Sequence, residues 1–316
     1  MTRRVLALSG GVGGAKLALG LDQVLGQGEL SIVANTADDF VHLGLTVCPD
    51  LDSVMYALAG INNTEVGWGR ARETWSFMAA VEELGGETWF QLGDKDLATN
   101  VERSRRLSDG DSLTEVTASL CGALGIRARL LPMSDQPVST VVHTESGPLP
   151  FQEYFVKQRS EPVITGFEFA GLDQAIANPA WLSLLEDDAL RAIIICPSNP
   201  YISIDPMLSL DGVRDALREC PAPVVAVSPI IGDQAVKGPT AKMMTELGIE
   251  SSASNVASHY GDLLDGFVLD SEDAGYATAI DVPCLSTSTL MVSLDDRTQL
   301  AGQVLAFCDR LAGVPD

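Results

Sequence analysis

Three short acidic clusters in the first third of the chain offer the chemistry most readily read from residue type: Asp38-Asp39, Asp50 with Asp52, and Asp94 with Asp96. Each flanks a strand end or a helix start. Carboxylates are hard oxygen ligands, and a few of them, completed by phosphate oxygens, commonly seat magnesium in phosphoryl transfer. Any single aspartate in such a place serves equally as a helix cap or an Asx turn, and Asp52 can simply cap the helix that follows it. Three clusters together favour a site. Upstream lies Ser9-Gly10-Gly11-Val12-Gly13-Gly14-Ala15-Lys16, with four glycines in five positions. Glycines let an anion approach bare backbone N–H groups, a helix N-terminus favours negative charge, and Lys16 adds a point charge. The match to named motifs is partial. Gly11-x-Gly13 begins a dinucleotide fingerprint whose third glycine would fall at Lys16, and Gly14-Ala15-Lys16-Leu17 lacks the hydroxyl that holds magnesium in a P-loop. A phosphate or nucleotide seat is the favoured reading; a tight β–α turn is the other.

The elements that must position these groups alternate strand and helix. The apolar run from Val5 to Leu8 reads as a buried strand, and Leu17, Leu21, Val24 and Leu25 fall at helical spacing after the glycine turn. Leu30 to Ala34 is a second strand, so the pair is expected to be parallel. It ends in Asn35-Thr36-Ala37-Asp38-Asp39, at the edge where α/β folds place ligands. Further short apolar runs, Leu130–Met133, Ala192–Ile195, Val224–Val227, Phe267–Leu269 and Val282–Leu285, carry the parallel-sheet signature. Two lead into the polar loops Cys196-Pro197-Ser198-Asn199-Pro200 and Ser228-Pro229-Ile230-Ile231-Gly232, which would gather hydrogen-bonding groups at one edge. Val138–His143 and Leu149–Val156 read as a small antiparallel hairpin, Phe167-Phe169 as an edge strand, and Leu294–Leu311 as a closing helix. The expected fold is α/β: a three-layer α/β/α sandwich with a Rossmann-like, mainly parallel sheet. One domain spans 1–316, with 1–61 and 130–316 as the sheet core and 62–129 as a mainly helical insertion over the active edge.

Bulk composition narrows the function. Apolar residues make up 46% of the 316, which places the chain among folded globular proteins able to bury a large core. Forty-three acids against 20 bases give a formal charge of −23, which excludes a general nucleic-acid binder. Cysteines 48, 121, 196, 220, 284 and 308 are scattered with no CxxC pair, which suits reduced thiols in a cytoplasmic protein. No stretch reaches membrane-spanning length, so no membrane partner is expected. Arg103, Arg105, Arg106, Arg127 and Arg129 concentrate in and just after the helical segment, as a solvated face or an anion-facing patch. His42, His143 and His259 are too scattered for a zinc motif, and His259 reads as structural. No nucleophile elbow appears, so covalent catalysis has little support. Trp68 and Trp75 read as core by default, with an aromatic-ligand wall as the other reading. Lys237-Gly238-Pro239 serves equally as a phosphate contact or a surface turn.

Taken together, the chain resembles the 2-phospho-L-lactate transferase family (CofD, called FbiA in actinobacteria) over nearly its whole length. The resemblance is carried by the glycine loop, Asn35-Thr36-Ala37-Asp38-Asp39, Cys48-Pro49-Asp50-Leu51-Asp52-Ser53, Leu92-Gly93-Asp94-Lys95-Asp96-Leu97-Ala98-Thr99, Leu131-Pro132-Met133-Ser134-Asp135, Phe151-Gln152-Glu153, Pro197-Ser198-Asn199-Pro200 and Ser228 to Gly232. It implies a late step in making the deazaflavin coenzyme F-420. A phosphoacid (phospholactyl, enolpyruvyl phosphate or 3-phosphoglyceryl) moves from its guanosine diphosphate-linked donor to the ribityl hydroxyl of the deazaflavin FO, releasing GMP, with Mg2+. By that resemblance Gly10, Gly11, Gly13, Gly14, Lys16, Lys95, Ser198, Asn199, Ser228 and Gly232 would hold the nucleotide and its phosphates. Asp38, Asp50 and Asp52 would be catalytic and hold the metal, and FO would lie near Asp52, Ser53, Gln91, Asp94 and Asp96. A homodimer is also implied.

The chain departs from the family pattern at Lys95, where arginine is usual, at Asn100, where histidine is usual, and at Ala37, where glycine is common. Lysine keeps the charge and loses the bidentate fork. Alcohol attack on a diphosphate needs its nonbridging oxygens neutralised and its leaving group stabilised, which agrees with carboxylate-held magnesium and a nest of N–H groups. The alternative is a non-enzymatic nucleotide-sugar-binding regulator of the same superfamily, which shares the glycine loop and the Asn-x-x-Asp-Asp element. The blocks Pro49-Asp50-Leu51-Asp52 and Pro197-Ser198-Asn199-Pro200 favour the transferase.

Overall fold

The first strand, β1 (Arg4–Ser9), is buried from Val5 through Ser9, and its side chains alternate between two different cores. Leu6 and Leu8 join one cluster, while Val5 and Ala7 join the other. That split is what period-two alternation gives a strand covered on both faces. In the computed structural model, which describes residues 4–65, 67–235 and 238–314, six further strands complete this sheet. They are β2 (Leu30–Ala34), β3 (Arg129–Pro132), β4 (Leu190–Ile195), β5 (Val224–Val227), β6 (Gly266–Asp270) and β7 (Cys284–Thr287). Their spatial order is β7-β6-β5-β4-β1-β2-β3. Every pairing is parallel, with Leu6 opposite Ser31 of β2 on one side and Ile193 of β4 on the other. The order extends the Rossmann arrangement by one strand.

Helices cover both faces. On one, α1 (Gly11–Val24), α2 (Pro49–Leu58) and the C-terminal helix Leu294–Leu311 place Leu17, Leu21, Leu51, Val54, Leu300 and Val304 against the sheet. On the other, Trp181, Ile202, Met207, Val256 and Tyr260 do the same. The expected α/β/α layering is therefore present. The insertion supplies α3 (Ser76–Glu83), α4 (Asp94–Ser108) and α5 (Leu113–Ala123), the last opened by a Ser112–Glu115 capping box. All six cysteines are free, and no helix among the described residues is long and apolar enough to cross a membrane.

Four local readings change. Phe40–His42 and Leu45–Val47 form a hairpin, in a segment where the sequence pattern predicts no strand. Its turn residues Leu43 and Gly44 both have positive φ, 51° and 79°, as a type I′ turn requires, and a leucine in the first position hides that signal. The strand expected through Val156 stops at Pro150, and the chain winds into helical turns through Lys157. Phe151, Tyr154 and Phe155 then share one face, with Phe151 and Phe155 stacked at 5.4 Å, which only a helical period permits. Ser139–Thr144 pairs on its other edge with Ile164–Ala170, a longer strand than Phe167-Phe169. Finally, Cys48 occupies the cap of α2 and Pro49 its first turn, so Asp52 lies inside the helix and does not cap it.

The glycine loop owes its composition to a close approach. A Cβ on Gly13 would overlap the carbonyl oxygen of Pro197, one on Gly10 would overlap the Ser203 side chain, and one on Gly14 would lie 2.7 Å from Ser198 Oγ. Gly11 instead needs its backbone freedom, with φ at +61°. The β1–α1 turn thus touches the loop after β4, which ends the neighbouring strand. Gly13→Ala is expected to cost about 1–3 kcal/mol, as overpacking does, read as a lowered denaturation midpoint. Gly11→Asn, at a left-handed position that asparagine tolerates, should cost less; equal losses would refute the close-packing account.

Candidate functional site

Strand order reverses between β1 and β4, and the loops leaving their carboxyl ends diverge there into a cavity of about 560 Å³. That is the crevice where open α/β sheets bind ligands, and the volume suits a nucleotide-sized molecule. Gly10, Gly11, Val12, Gly13 and Lys16 line the cavity, together with Pro197, Ser198 and Asn199 of the adjoining loop. Ser198 Oγ accepts from the Gly10 N–H at 2.9 Å and donates to the Gly10 carbonyl at 2.8 Å, so it clamps the two loops together. Asn199 Oδ1 accepts from the N–H groups of Tyr201 and Ile202 and caps the turn Pro200–Ile204. Ser228 Oγ bonds within its own loop, to Ile230. Lys16 Nζ donates to the Met291 carbonyl at 2.7 Å, beside the cavity.

Buried carboxylates gather at the centre. Asp38, Asp50 and Asp52 are only 5%, 6% and 5% exposed, and all three line the cavity. Asp50, in the first turn of α2, accepts from Asn35 Nδ2 at 3.0 Å. Burial pushes its carboxyl up to about 6. Burial, and then the charge of Asp50, raises Asp38 well above the usual carboxylate range, and Asp38 Oδ1 has no hydrogen-bond partner. Asp96, in the first turn of α4, accepts from the Tyr56 hydroxyl at 2.6 Å; burial and then the charge of Asp52 carry it to about 6.

Asp52 differs because Arg103, itself 1% exposed, donates to both of its oxygens. Burial still raises Asp52, and the guanidinium opposes that rise. Asn100 Oδ1 accepts from Arg103 Nη1 at 2.8 Å and so braces this arginine. Of the arginines concentrated here, Arg103 bonds to Asp52, while Arg105 pairs with Glu102 and Asp109, Arg106 with Asp111, and Arg127 with Asp22, as a solvated face would. Among the described residues, no three His, Cys, Asp or Glu converge to hold a metal ion. Asp52 is engaged by Arg103, whereas the buried Oδ1 of Asp38 has no partner and, with Asp50, suits a hard cation completed by phosphate oxygens.

Ser53, Gln91 and Asp96 line the same cavity, whereas Asp94, Lys95, Gly14 and Gly232 do not. Successive residues of a helix point about 100° apart, so Asp96 faces α2 while its neighbours face elsewhere. The Asp94 carboxylate accepts from the Ser76 and Phe77 N–H groups at the start of α3, and Lys95 Nζ donates to the carbonyls of Ala71 and Arg72. Gly232 donates its N–H to the Asp273 carboxylate. Lys237 lies outside the described residues. His259 pairs with Asp205 at 2.9 Å, as a structural histidine would.

An aromatic wall was not foreseen as a unit. Tyr56, Trp68, Trp89, Phe90, Phe151 and Phe155 all line the cavity, with Trp89 and Phe90 packed around buried His42. Trp68 and Trp75 are 50% and 43% exposed, so the default core reading of these two is corrected. The spacing of Phe151 and Phe155 would have signalled part of this wall had the segment been taken as helical.

The raised carboxylates set a pH dependence. Asp50 binds its proton more tightly folded (about 6) than unfolded (about 3.9), so its stabilising contribution is full below about pH 4 and lost as pH rises through about 6. Asp96 acts in the same sense. The melting temperature of the ligand-free protein should therefore gain from these groups as pH falls from 7 to 5. Asp50→Asn should gain less over that interval, and an unchanged profile in the variant would remove Asp50 as a source.

The comparisons with known proteins agree along the chain. The family profile for 2-phospho-L-lactate transferase CofD matches residues 5–300. A phosphoenolpyruvate transferase of Kitasatospora aureofaciens is 40% identical over 318 residues, covering 98% of each chain. A 2-phospho-L-lactate transferase of Methanosarcina mazei is 40% identical over 300 residues, 94% of this chain and 98% of the relative. A crystal structure of a UPF0052-family protein from Bacillus halodurans shares the fold, with a TM-score of 0.64 at 16% identity over 96% of this chain and 99% of that one. Matched from the first strand into the closing helix, the chain belongs to the 2-phospho-L-lactate transferase CofD family and is a transferase enzyme.

Proposed function

We propose that the protein moves a three-carbon phosphoacid from its GMP-activated diphosphate donor to the ribityl hydroxyl of the deazaflavin FO, releasing GMP, in the biosynthesis of coenzyme F-420. The observation that carries this reading is one cavity with three chemistries in sequence: a glycine-lined backbone wall, buried carboxylates, and an aromatic wall. The backbone N–H groups and Lys16 suit the guanosine diphosphate part. The rings of Trp89, Phe90, Phe151 and Phe155 suit a planar deazaflavin.

In the transfer, the FO hydroxyl oxygen bonds to the phosphorus that carries the acid. The bond from that phosphorus to the bridging oxygen breaks, and GMP leaves with the electron pair. Magnesium, when bound through Asp38 and Asp50, supplies charge neutralisation at the diphosphate oxygens. Arg103 holds the Asp52 carboxylate in one direction, so that it can accept a hydrogen bond from the incoming hydroxyl. The proton that the hydroxyl loses passes along that hydrogen bond to the Asp52 carboxylate. Burial of all three carboxylates keeps bulk water from competing for the phosphorus. A cytoplasmic homodimer is part of the same reading.

The test offers purified protein FO, magnesium and each guanosine-linked donor separately, carrying phospholactate, phosphoenolpyruvate or 3-phosphoglycerate, with products followed by mass spectrometry. The phosphoacid–FO adduct and GMP are expected, and the fastest donor names the acid. No adduct from folded protein, together with tight UDP-sugar binding, would favour the nucleotide-sugar-binding regulator. Asp38→Asn should weaken the apparent magnesium affinity about 10–100-fold, so that more magnesium is needed for half-maximal turnover, in line with changes around metal ligands. Near-normal turnover of that variant at limiting magnesium would take Asp38 out of the metal site.

A further inference from the structure

A second cavity, of about 220 Å³, lies beside the first and shares Val12, Lys16, Ser53, Trp68, Gly69 and Met291 with it. It is too small for a nucleotide or a deazaflavin, since pockets for such ligands begin at roughly 300 Å³. Its far wall is Arg297, in the first turn of the C-terminal helix. This side chain is 7% exposed, and its Nε has no hydrogen-bond partner. Two costs meet at this position. Burial disfavours the charged form, and the positive end of a helix disfavours a cation. Burial does hold the guanidinium below its ordinary range, with only Asp296 opposing. The Asp296 carboxylate is occupied at the helix cap, where it accepts from the N–H groups of Val292 and Ser293. Glu65, the acid that lines this cavity, is exposed.

The position of Arg297 is also built. Gly20 of α1 has no Cβ because the Arg297 carbonyl oxygen sits where that atom would go, so the two helices meet backbone to backbone. The Lys16 ammonium, on the shared wall, donates to the Met291 carbonyl and adds positive charge between the two cavities. In a chain of formal charge −23, two cations around one small void form a local exception.

We propose that this side cavity binds a small anion, a carboxylate or phosphate group on a frame of three carbons or fewer, with the Arg297 guanidinium as its counter-charge. Two sources share that chemistry: the acid end of the donor in the main cavity, and a free small anion. The first source rests on the function proposed above; the binding itself does not.

The experiment titrates the full-length protein by calorimetry with inorganic phosphate, L-lactate and phosphoenolpyruvate, each with and without saturating GDP. At least one probe should bind in the presence of GDP, and Arg297→Gln should weaken it about tenfold or more, the loss of a charge-assisted hydrogen bond. Binding of the two carboxylate probes without phosphate assigns the site to the donor's acid end; phosphate binding assigns it to a free anion. No probe bound with GDP present, or unchanged affinity in Arg297→Gln, would overturn the proposal. If that variant does not fold, Leu290→Asp decides, because it places a negative charge on the half-exposed rim without disturbing the interior. A several-fold loss in Leu290→Asp is expected, and no loss overturns the proposal. Failure of the transfer assay with anion binding intact would refute the proposed function alone.

Discussion

Arg103 stands on α4 of the helical insertion and Asp52 on α2 of the sheet core, and their buried contact joins the two parts that enclose the cavity. A buried ion pair is a weak source of net stability, because both charges lose water to form it. Its force is in the alternatives. Any seating of α4 that separated the two would leave a bare charge in the interior, at a cost of about 3–5 kcal/mol. The insertion therefore has one docking position. Asn100 and the Thr46 carbonyl also accept from the guanidinium, and Asp96 reaches Tyr56 across the same contact.

From that position follows the electrostatic character of the site. Several buried carboxylates gather at one site, and burial raises Asp38, Asp50 and Asp96 while the guanidinium restrains Asp52. Like charges held this close resist full ionisation unless positive charge is brought to them. The side cavity presents the inverse problem, a buried guanidinium whose neighbouring acid is used elsewhere. A protein so acidic overall thus keeps two interior arginines beside its cavities, one already paired and one facing open space.

Much of the architecture was legible. The run of buried strands, the β1–α1 turn and the closing helix at Leu294–Leu311 follow from apolar periodicity, which is a local property. So was the place of Asp38, because it follows a strand end of the parallel sheet, and such ends converge by topology. Elements whose local signal points elsewhere were not legible. The Leu43-Gly44 turn lacks the usual Asn or Asp, and the Phe151 segment follows a strand and reads as its continuation. Trp68 reads as core by composition and sits instead on a cavity wall.

The amino-acid sequence by itself determined the layer architecture, the place of the glycine turn and the candidate carboxylates, since each depends on residues adjacent in the chain. Tertiary structure alone decided which of those residues act together. Ser198 meets Gly10 across 188 positions, Arg103 meets Asp52 across 51, and Arg297 reaches the wall of α1 from the far end of the chain. Such pairings depend on the packing of separate elements at van der Waals distance, and no spacing along a strand or helix encodes that distance.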